Sequence, residues 1–272
     1  MTEIRKTSRP AESGHWYSRD GKLVETVAGA KGQDVRPDIR HARKLGLVPG
    51  CTTIIKLQDR EALTQWRERQ VLMAALTLPR IAGETDEAFV DRVLADAKAQ
   101  AINAAAKGTE IHARIEREIN SETTTDEWVL AARHTLWEAC GAVPAWRCEM
   151  PAISPYGFGT KSDLSYVENQ VPDMQDSWVV DVKTKDGSLT DVRCYDDHAL
   201  QLAATRHALG LDCQTHRVRC GILFVRRDAP EAKFIEVEQD ALDRGWRMFK
   251  CLLKLWQEKT QYVPAWALGV TL

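Results

Sequence analysis

Gly159-Thr160-Lys161-Ser162-Asp163-Leu164-Ser165-Tyr166-Val167, and after it Trp178-Val179-Val180-Asp181-Val182-Lys183-Thr184-Lys185, form the stretch whose reading decides the fold. Both pieces read as strands. Trp178 to Val182 is apolar and β-branched but for one acid, the pattern of a strand buried on both faces. An acid inside such a run is costly to bury unless a positive group pairs with it. Lys183 follows Asp181 by two residues, and side chains at i and i+2 of a strand project to the same face. A loop with Pro172 and Asp173 joins the strands; paired as a hairpin, they bring Asp163 and Asp181 together at one end of the sheet. Two carboxylates beside an ammonium suit a hard cation such as Mg²⁺ or Mn²⁺. Such an ion activates water and neutralises charge developing on a phosphoryl group.

The 272 residues carry a formal charge of −2 and 44% hydrophobic side chains, enough for a sizeable core in one large domain or two small ones. That charge advertises no polyanion partner, so a nucleic-acid enzyme of this composition must gather its Lys and Arg on one face. No apolar run is long enough to span a bilayer, and Met1-Thr2-Glu3-Ile4-Arg5-Lys6 opens no signal peptide. A cytoplasmic protein without membrane contact is expected. The seven cysteines include no Cys-x-x-Cys pair and read as free thiols of a reducing compartment.

Residues 1–14 read as a mobile tail. His15 to Val27, with Asp20-Gly21 between β-rich flanks, reads as a hairpin. Asp38 to Leu45 reads as a short basic helix. A helix from Asp59 to about Leu78 sets Trp66, Met73 and Leu76 close to one face, with Trp66 in the core. Pro79 ends it. Thr85-Asp86-Glu87 opens an Ala-rich helix that runs on toward Asn120. Gly108 is unfavourable inside a helix, so it marks a break or a close approach to a strand. His112 and Glu116 share a face beyond it. Thr125-Asp126-Glu127 caps a helix reaching Cys140, with Trp128, Leu136 and Trp137 as packing residues. Arg147 to Ile153 is the first sheet strand and carries Glu149. Asp196-Asp197 begin a helix bearing Gln201. The alternation Val218, Cys220, Ile222, Phe224 is a strand, Lys233 to Val237 pairs with it, and Gln239 to about Thr260 is a terminal amphipathic helix. Five strands with a helix between the third and fourth imply an α/β fold, a mixed central sheet flanked by helices.

Asp163 followed by Asp181-Val182-Lys183 resembles the PD-(D/E)xK nuclease signature, with Ser162 where that name has its Pro. Gly108-Thr109-Glu110-Ile111-His112 resembles the helix motif with a metal-binding His in RecB-type members, phage exonucleases among them. His198-Ala199-Leu200-Gln201-Leu202-Ala203-Ala204-Thr205 is similar to that branch's QxxxY helix, with Thr205 where Tyr is usual. The resemblance covers roughly residues 100 to 240. It implies a restriction-endonuclease-like core over 96–272, with a mostly helical N-terminal region and its hairpin, 1–95, packed on it. It further implies that His112, Asp163, Asp181 and the Val182 carbonyl hold Mg²⁺ or Mn²⁺. Lys183 would orient or deprotonate the attacking water, and Gln201 would hold a DNA phosphate or position Lys183. Glu149 matches a Glu that often precedes the metal-binding Asp. The implied reaction is hydrolysis of DNA phosphodiesters, first as an exonuclease of recombination or repair in a bacterial or phage-infected cell. A single-strand-annealing or recombination protein is the implied partner beside DNA. Some relatives hold an iron–sulfur cluster; Cys194, Cys213, Cys220 and Cys251 lack the short spacings of one, and none is expected.

Each residue also has a plainer reading. His112 alone is a core or solvated histidine, Glu149 an edge-strand charge, and Gln201 a surface glutamine. Glu116 is a metal ligand, a water-orienting group or a salt-bridge partner. Lys161, Lys185, Arg193, Arg226 and Arg227 are candidates for phosphate contacts, though each alone is a solvated charge. A silent DNA-binding module on the same fold, a structure-specific endonuclease and an unrelated metalloenzyme stay open.

Overall fold

Asp163 and Asp181 lie on neighbouring strands in the middle of a five-stranded sheet. The structure, a computed structural model, describes residues 14–30, 32–58, 61–143, 145–167, 177–211 and 218–270. The expected tail (all but Gly14), the Pro172–Asp173 loop and Cys213 lie outside the described residues.

Four short strands open the chain: β1 (Trp16–Tyr17), β2 (Val27–Ala28), β3 (Asp34–Val35) and β4 (Val48–Pro49). The expected reversal at Asp20-Gly21 forms, with Gly21 at φ 86° and a bridge from Tyr17 to Leu23. The ladder of β1 nevertheless belongs to β4, and β2 pairs with β3, so the expected hairpin is only partial. Tertiary packing decides this. Trp16 meets Trp256 edge-on, and the Tyr17 ring covers Gly159 so closely that a Cβ there would come within 2.7 Å of it.

Next come α1 (Ile39–Leu45), capped by Asp38, and α2 (Cys51–Ile55). Ala42, Ile54 and Ile55 join Leu200, Phe249 and Leu253 in one buried cluster. α3 (Glu61–Thr77) packs on α4 (Asp86–Glu118) through Val71, Ala74, Val93 and Ala97. The expected core face of α3 is overturned: Trp66, Met73 and Leu76 are 44%, 48% and 80% exposed. The helix is buried through another face, where small Ala74 lets α4 approach. α4 is 33 residues long, about 50 Å. It runs unbroken across residue 95 and through Gly108.

α5 (Glu127–Cys140) starts where Asp126 accepts the amides of Trp128 and Val129. Leu136 is buried, but Trp137, expected to pack, is 61% exposed; one residue turns the helix by about 100°. The sheet follows: β5 (Arg147–Ser154), β6 (Phe158–Tyr166), β7 (Ser177–Lys185), then α6 (Asp196–Ala208), β8 (Val218–Arg226), β9 (Ala232–Val237) and α7 (Gln239–Thr260). Strand order is β5-β6-β7-β8-β9, with β7/β8 parallel and the other pairs antiparallel.

β7 divides its side chains between two layers. Trp178, Val180 and Val182 cluster with Ile111, Ile115 and Leu136 of α4 and α5. Val179 clusters with Ile222, Leu202 and Leu242 on the α6 and α7 side. Each such fully buried side chain stabilises by about 1.5–3 kcal/mol. The three layers leave Asp181 as the acid inside the run, on the α6 side. Among the described residues no helix is long and apolar enough to cross a membrane.

Candidate metal centre

The centre exists because two strands part. β6 and β7 pair from Tyr166–Trp178 to Leu164–Val180. One step further, Asp163 would face Asp181, and like charges directly opposite destabilise a ladder. The pairing stops there. β6 stays with β5 back to Phe158, while β7 stays with β8 forward to Lys185. In place of the missing ladder bond, the Val182 amide donates to Asp163 Oδ2 at 2.7 Å. For Val182, expected to offer its carbonyl, the observed contact is therefore the amide.

α4 closes one side of this fork. A Cβ on Gly108 would lie 2.5 Å from Thr184 Oγ1, so glycine marks a close approach of helix to strand and not a break. A turn later, His112 Nε2 sits 3.1 Å from Asp163 Oδ2, while its Nδ1 contacts Glu116 Oε1. From β5 comes Glu149, flanked by the pairs Cys148–Leu164 and Met150–Ser162 and so in register with Asp163. Its φ of 55° is left-handed, a conformation that costs a non-glycine residue on the order of 1–3 kcal/mol and persists where neighbours enforce it. Its carboxylate pairs with Lys161.

His112, Glu116, Glu149 and Asp163 each offer a donor atom within 4.8 Å of the others. One imidazole nitrogen among carboxylate oxygens fits Mn²⁺ or Mg²⁺. Neighbouring ligands on bonds of ~2.1 Å in octahedral geometry stand about 3 Å apart, which the His112–Asp163 separation matches. The expected ligand Asp181 is adjacent but outside this group. Its Oδ2 lies 2.6 Å from Lys183 Nζ, and its Oδ1 accepts from Gln201 Nε2 at 2.7 Å. Gln201 Oε1 in turn accepts from Lys183 at 3.2 Å. Asp181 Oδ2 has its ion pair with Lys183 but no hydrogen-bond partner among the described residues. Thr205 is buried and shares a 2.9 Å bond with Thr160, which also accepts from the Cys51 thiol.

Burial raises the Asp181 carboxyl to about 6, with Lys183 opposing and Asp163 reinforcing the shift. Asp163 is buried too, but His112, Lys183 and the Val182 amide outweigh that and hold it low. Burial also works against the His112 imidazolium, yet Asp163 and Glu116 raise it. For Lys183 burial is again outweighed, by Asp181 and Asp163, and the ammonium is favoured.

His112, Glu116, Glu149, Asp163 and Lys183 open onto a cleft of about 560 Å³ whose walls include Lys161 and Arg227. Arg227 is tied to Asp186 at 2.6 Å. Arg226 is held away by Asp228 and Glu231 at 2.9 and 2.8 Å. Arg193, exposed ahead of α6, and Lys185, half-buried at the end of β7, do not line the cleft. A larger groove of about 890 Å³ runs along α7 past Arg247, Lys250 and Lys254, but no acid among the described residues lines it to hold a cation. Glu116 is the residue that sequence reasoning left unassigned; its signal is the i, i+4 spacing from His112.

No family model and no curated protein matches the chain. The solved crystal structure of SSO0001 is similar with a TM-score of 0.32, at 11% identity, covering 75% of this chain and 88% of that one. A likeness of that degree identifies no family.

Proposed function

We propose that this chain is a divalent-cation-dependent nuclease that hydrolyses DNA phosphodiesters, with the restriction-endonuclease-like core of the RecB-type PD-(D/E)xK enzymes. The carrying observation is the fork itself: His112, Glu149 and Asp163 meet the Asp181–Lys183–Gln201 triangle where β6 leaves β7. A recombination or repair exonuclease is the first reading within this class.

His112, Glu149, Asp163 and, beside them, Asp181 are the residues that would hold Mg²⁺ or Mn²⁺, which when bound supplies Lewis-acid charge at a phosphate and eases ionisation of water. The other roles belong to the chain. Lys183, fixed by Asp181 and Gln201, presents an ammonium toward the cleft; its charge steadies the attacking water or the developing phosphate charge. Gln201 locks both partners in one geometry, which saves reorganisation at the moment of reaction. Lys161 and Arg227 offer flanking phosphate contacts.

The test is cleavage of linear and circular DNA, single- and double-stranded, with Mg²⁺, Mn²⁺ or EDTA, beside Lys183→Ala. Cation-dependent loss of linear DNA, with circles spared and the variant inactive, is the expected result. Cutting of circles would make the protein an endonuclease. Binding without cleavage of any substrate would make it a silent DNA-binding module.

A further inference from the structure

Glu116 follows His112 by four residues on α4, the spacing at which helical side chains meet. Its Oε1 lies against His112 Nδ1 as an ion-pair contact, is buried, and has no hydrogen-bond partner among the described residues. The opposite ring nitrogen, Nε2, faces Asp163 Oδ2. The imidazole is therefore strung between two carboxylates, one at each nitrogen.

We infer that Glu116 is a positioning residue that keeps the His112 proton on Nδ1, so that Nε2 presents its lone pair to a cation shared with Asp163. The inference rests on the metal-site reading above. A neutral imidazole carries one proton, and the partner of one nitrogen decides which nitrogen is left as the ligand. With the proton on Nε2, His112 would only donate to Asp163, and its lone pair would point at Glu116. Either tautomer sets one lone pair against a carboxylate, but Asp163 Oδ2 still accepts from the Val182 amide whereas Glu116 Oε1 has no other donor, so the proton on Nδ1 leaves the fewer buried acceptors unmet. It also fixes the ring plane, as outer partners of ligating histidines do.

Glu116 could instead be a direct ligand, since its carboxylate belongs to the four-residue group. To ligate through Oε1 it would have to leave Nδ1, taking from a half-buried ring nitrogen its nearest acceptor. The side chains of His112 and Glu116 are only 25% and 17% exposed, so water replaces that acceptor poorly.

The experiment labels histidine with nitrogen-15 and reads the His112 tautomer in EDTA, above the imidazole titration, in the wild type, Glu116→Gln and Glu116→Ala. Calorimetry with Mn²⁺ then gives the affinity of each. Glu116→Met, which keeps the volume without the acceptor, replaces the alanine variant where that one does not fold. The wild type and Glu116→Gln are expected to hold the proton on Nδ1 and to bind Mn²⁺ almost equally, because an amide oxygen still accepts. Glu116→Ala or Glu116→Met should shift the proton toward Nε2 and weaken binding roughly 10- to 100-fold. Loss of affinity in Glu116→Gln equal to that in Glu116→Ala, with the tautomer unchanged, would make Glu116 a ligand and overturn the inference. So would a tautomer that ignores Glu116. A tautomer that follows Glu116 in a protein that takes up no divalent cation would overturn only the metal reading.

Discussion

Gly108 of α4 lies so close to Thr184 of β7 that a Cβ added to the glycine would come within 2.5 Å of the threonine hydroxyl. His112 follows one turn later, so this contact sets the depth at which its imidazole enters the fork. In an isolated helix, Gly→Ala gains about 1 kcal/mol. Here the clash reverses the sign. Gly108→Ala should lower stability by about 1–2 kcal/mol, in the range of overpacked cores, and weaken Mn²⁺ binding. Thr184→Ala in the same chain should restore most of both. A double-mutant cycle of thermal unfolding and calorimetry reads the coupling; additive effects would mean that the contact does not set the helix position.

Asp181 links the fork to pH. Burial raises its carboxyl from 3.8 to about 6, against the pull of Lys183. A group with a raised folded pKa favours the folded state while both states are protonated, below 3.8. That contribution is lost as pH climbs through the folded value, because the unfolded chain ionises first. Asp181→Asn removes the effect and keeps an acceptor for Gln201. In EDTA and above about 6, the variant should be the more stable by on the order of 1–3 kcal/mol. The gap should close near 3.8. Denaturant titrations across that window check it, and a variant less stable at neutral pH would make Asp181 a structural residue.

The cations divide by position. Each has an acid partner, but Lys161 and Arg227, paired with Glu149 and Asp186, line the cleft, whereas Arg226, paired with Asp228 and Glu231, does not. Under the nuclease reading, Lys161→Ala and Arg227→Ala should each weaken DNA binding and reduce the salt dependence by about one phosphate contact. Arg226→Ala should leave both unchanged. Salt-dependent binding isotherms with Ca²⁺ in place of Mg²⁺ separate the three; equal losses in all would disperse the interface over the surface.

Thiol chemistry gives an independent check of the packing. Burial pushes the Cys51 thiol up to about 11, and Cys220 is wholly buried in the sheet core. Cys251 is exposed on α7. Since only the thiolate attacks, a disulfide reagent at neutral pH should label Cys251 first among the described cysteines. Cys51 and Cys220 should react only on unfolding. Loss of the fastest phase in Cys251→Ser, followed by absorbance, is the expected outcome.

Much of this architecture was legible in single stretches. The apolar run around Asp181, the i, i+2 placement of Lys183 and the caps at Thr85 and Asp126 are local facts, fixed by strand and helix periods. They gave β7, α4 and α5 with nearly their observed limits. The order of His112, Asp163 and Gln201 along the chain is likewise a property of the sequence alone.

Other features needed the whole molecule. Periodicity says that α3 has an apolar face, yet which face is covered depends on α4, and Trp66 remains exposed. Asp20-Gly21 makes its turn, but Trp16 and Tyr17 are held by residues far along the chain. Glu149 is drawn in through a left-handed backbone that only its neighbours enforce, and Glu116 acquires meaning from the ring beside it. The sequence alone determined which acids, base and helices are present, because side-chain chemistry and backbone period are local. Tertiary structure decided where they meet: β6 and β7 separate at the point where Asp163 and Asp181 would have faced each other, and repulsion between distant residues is expressed only once the sheet has formed.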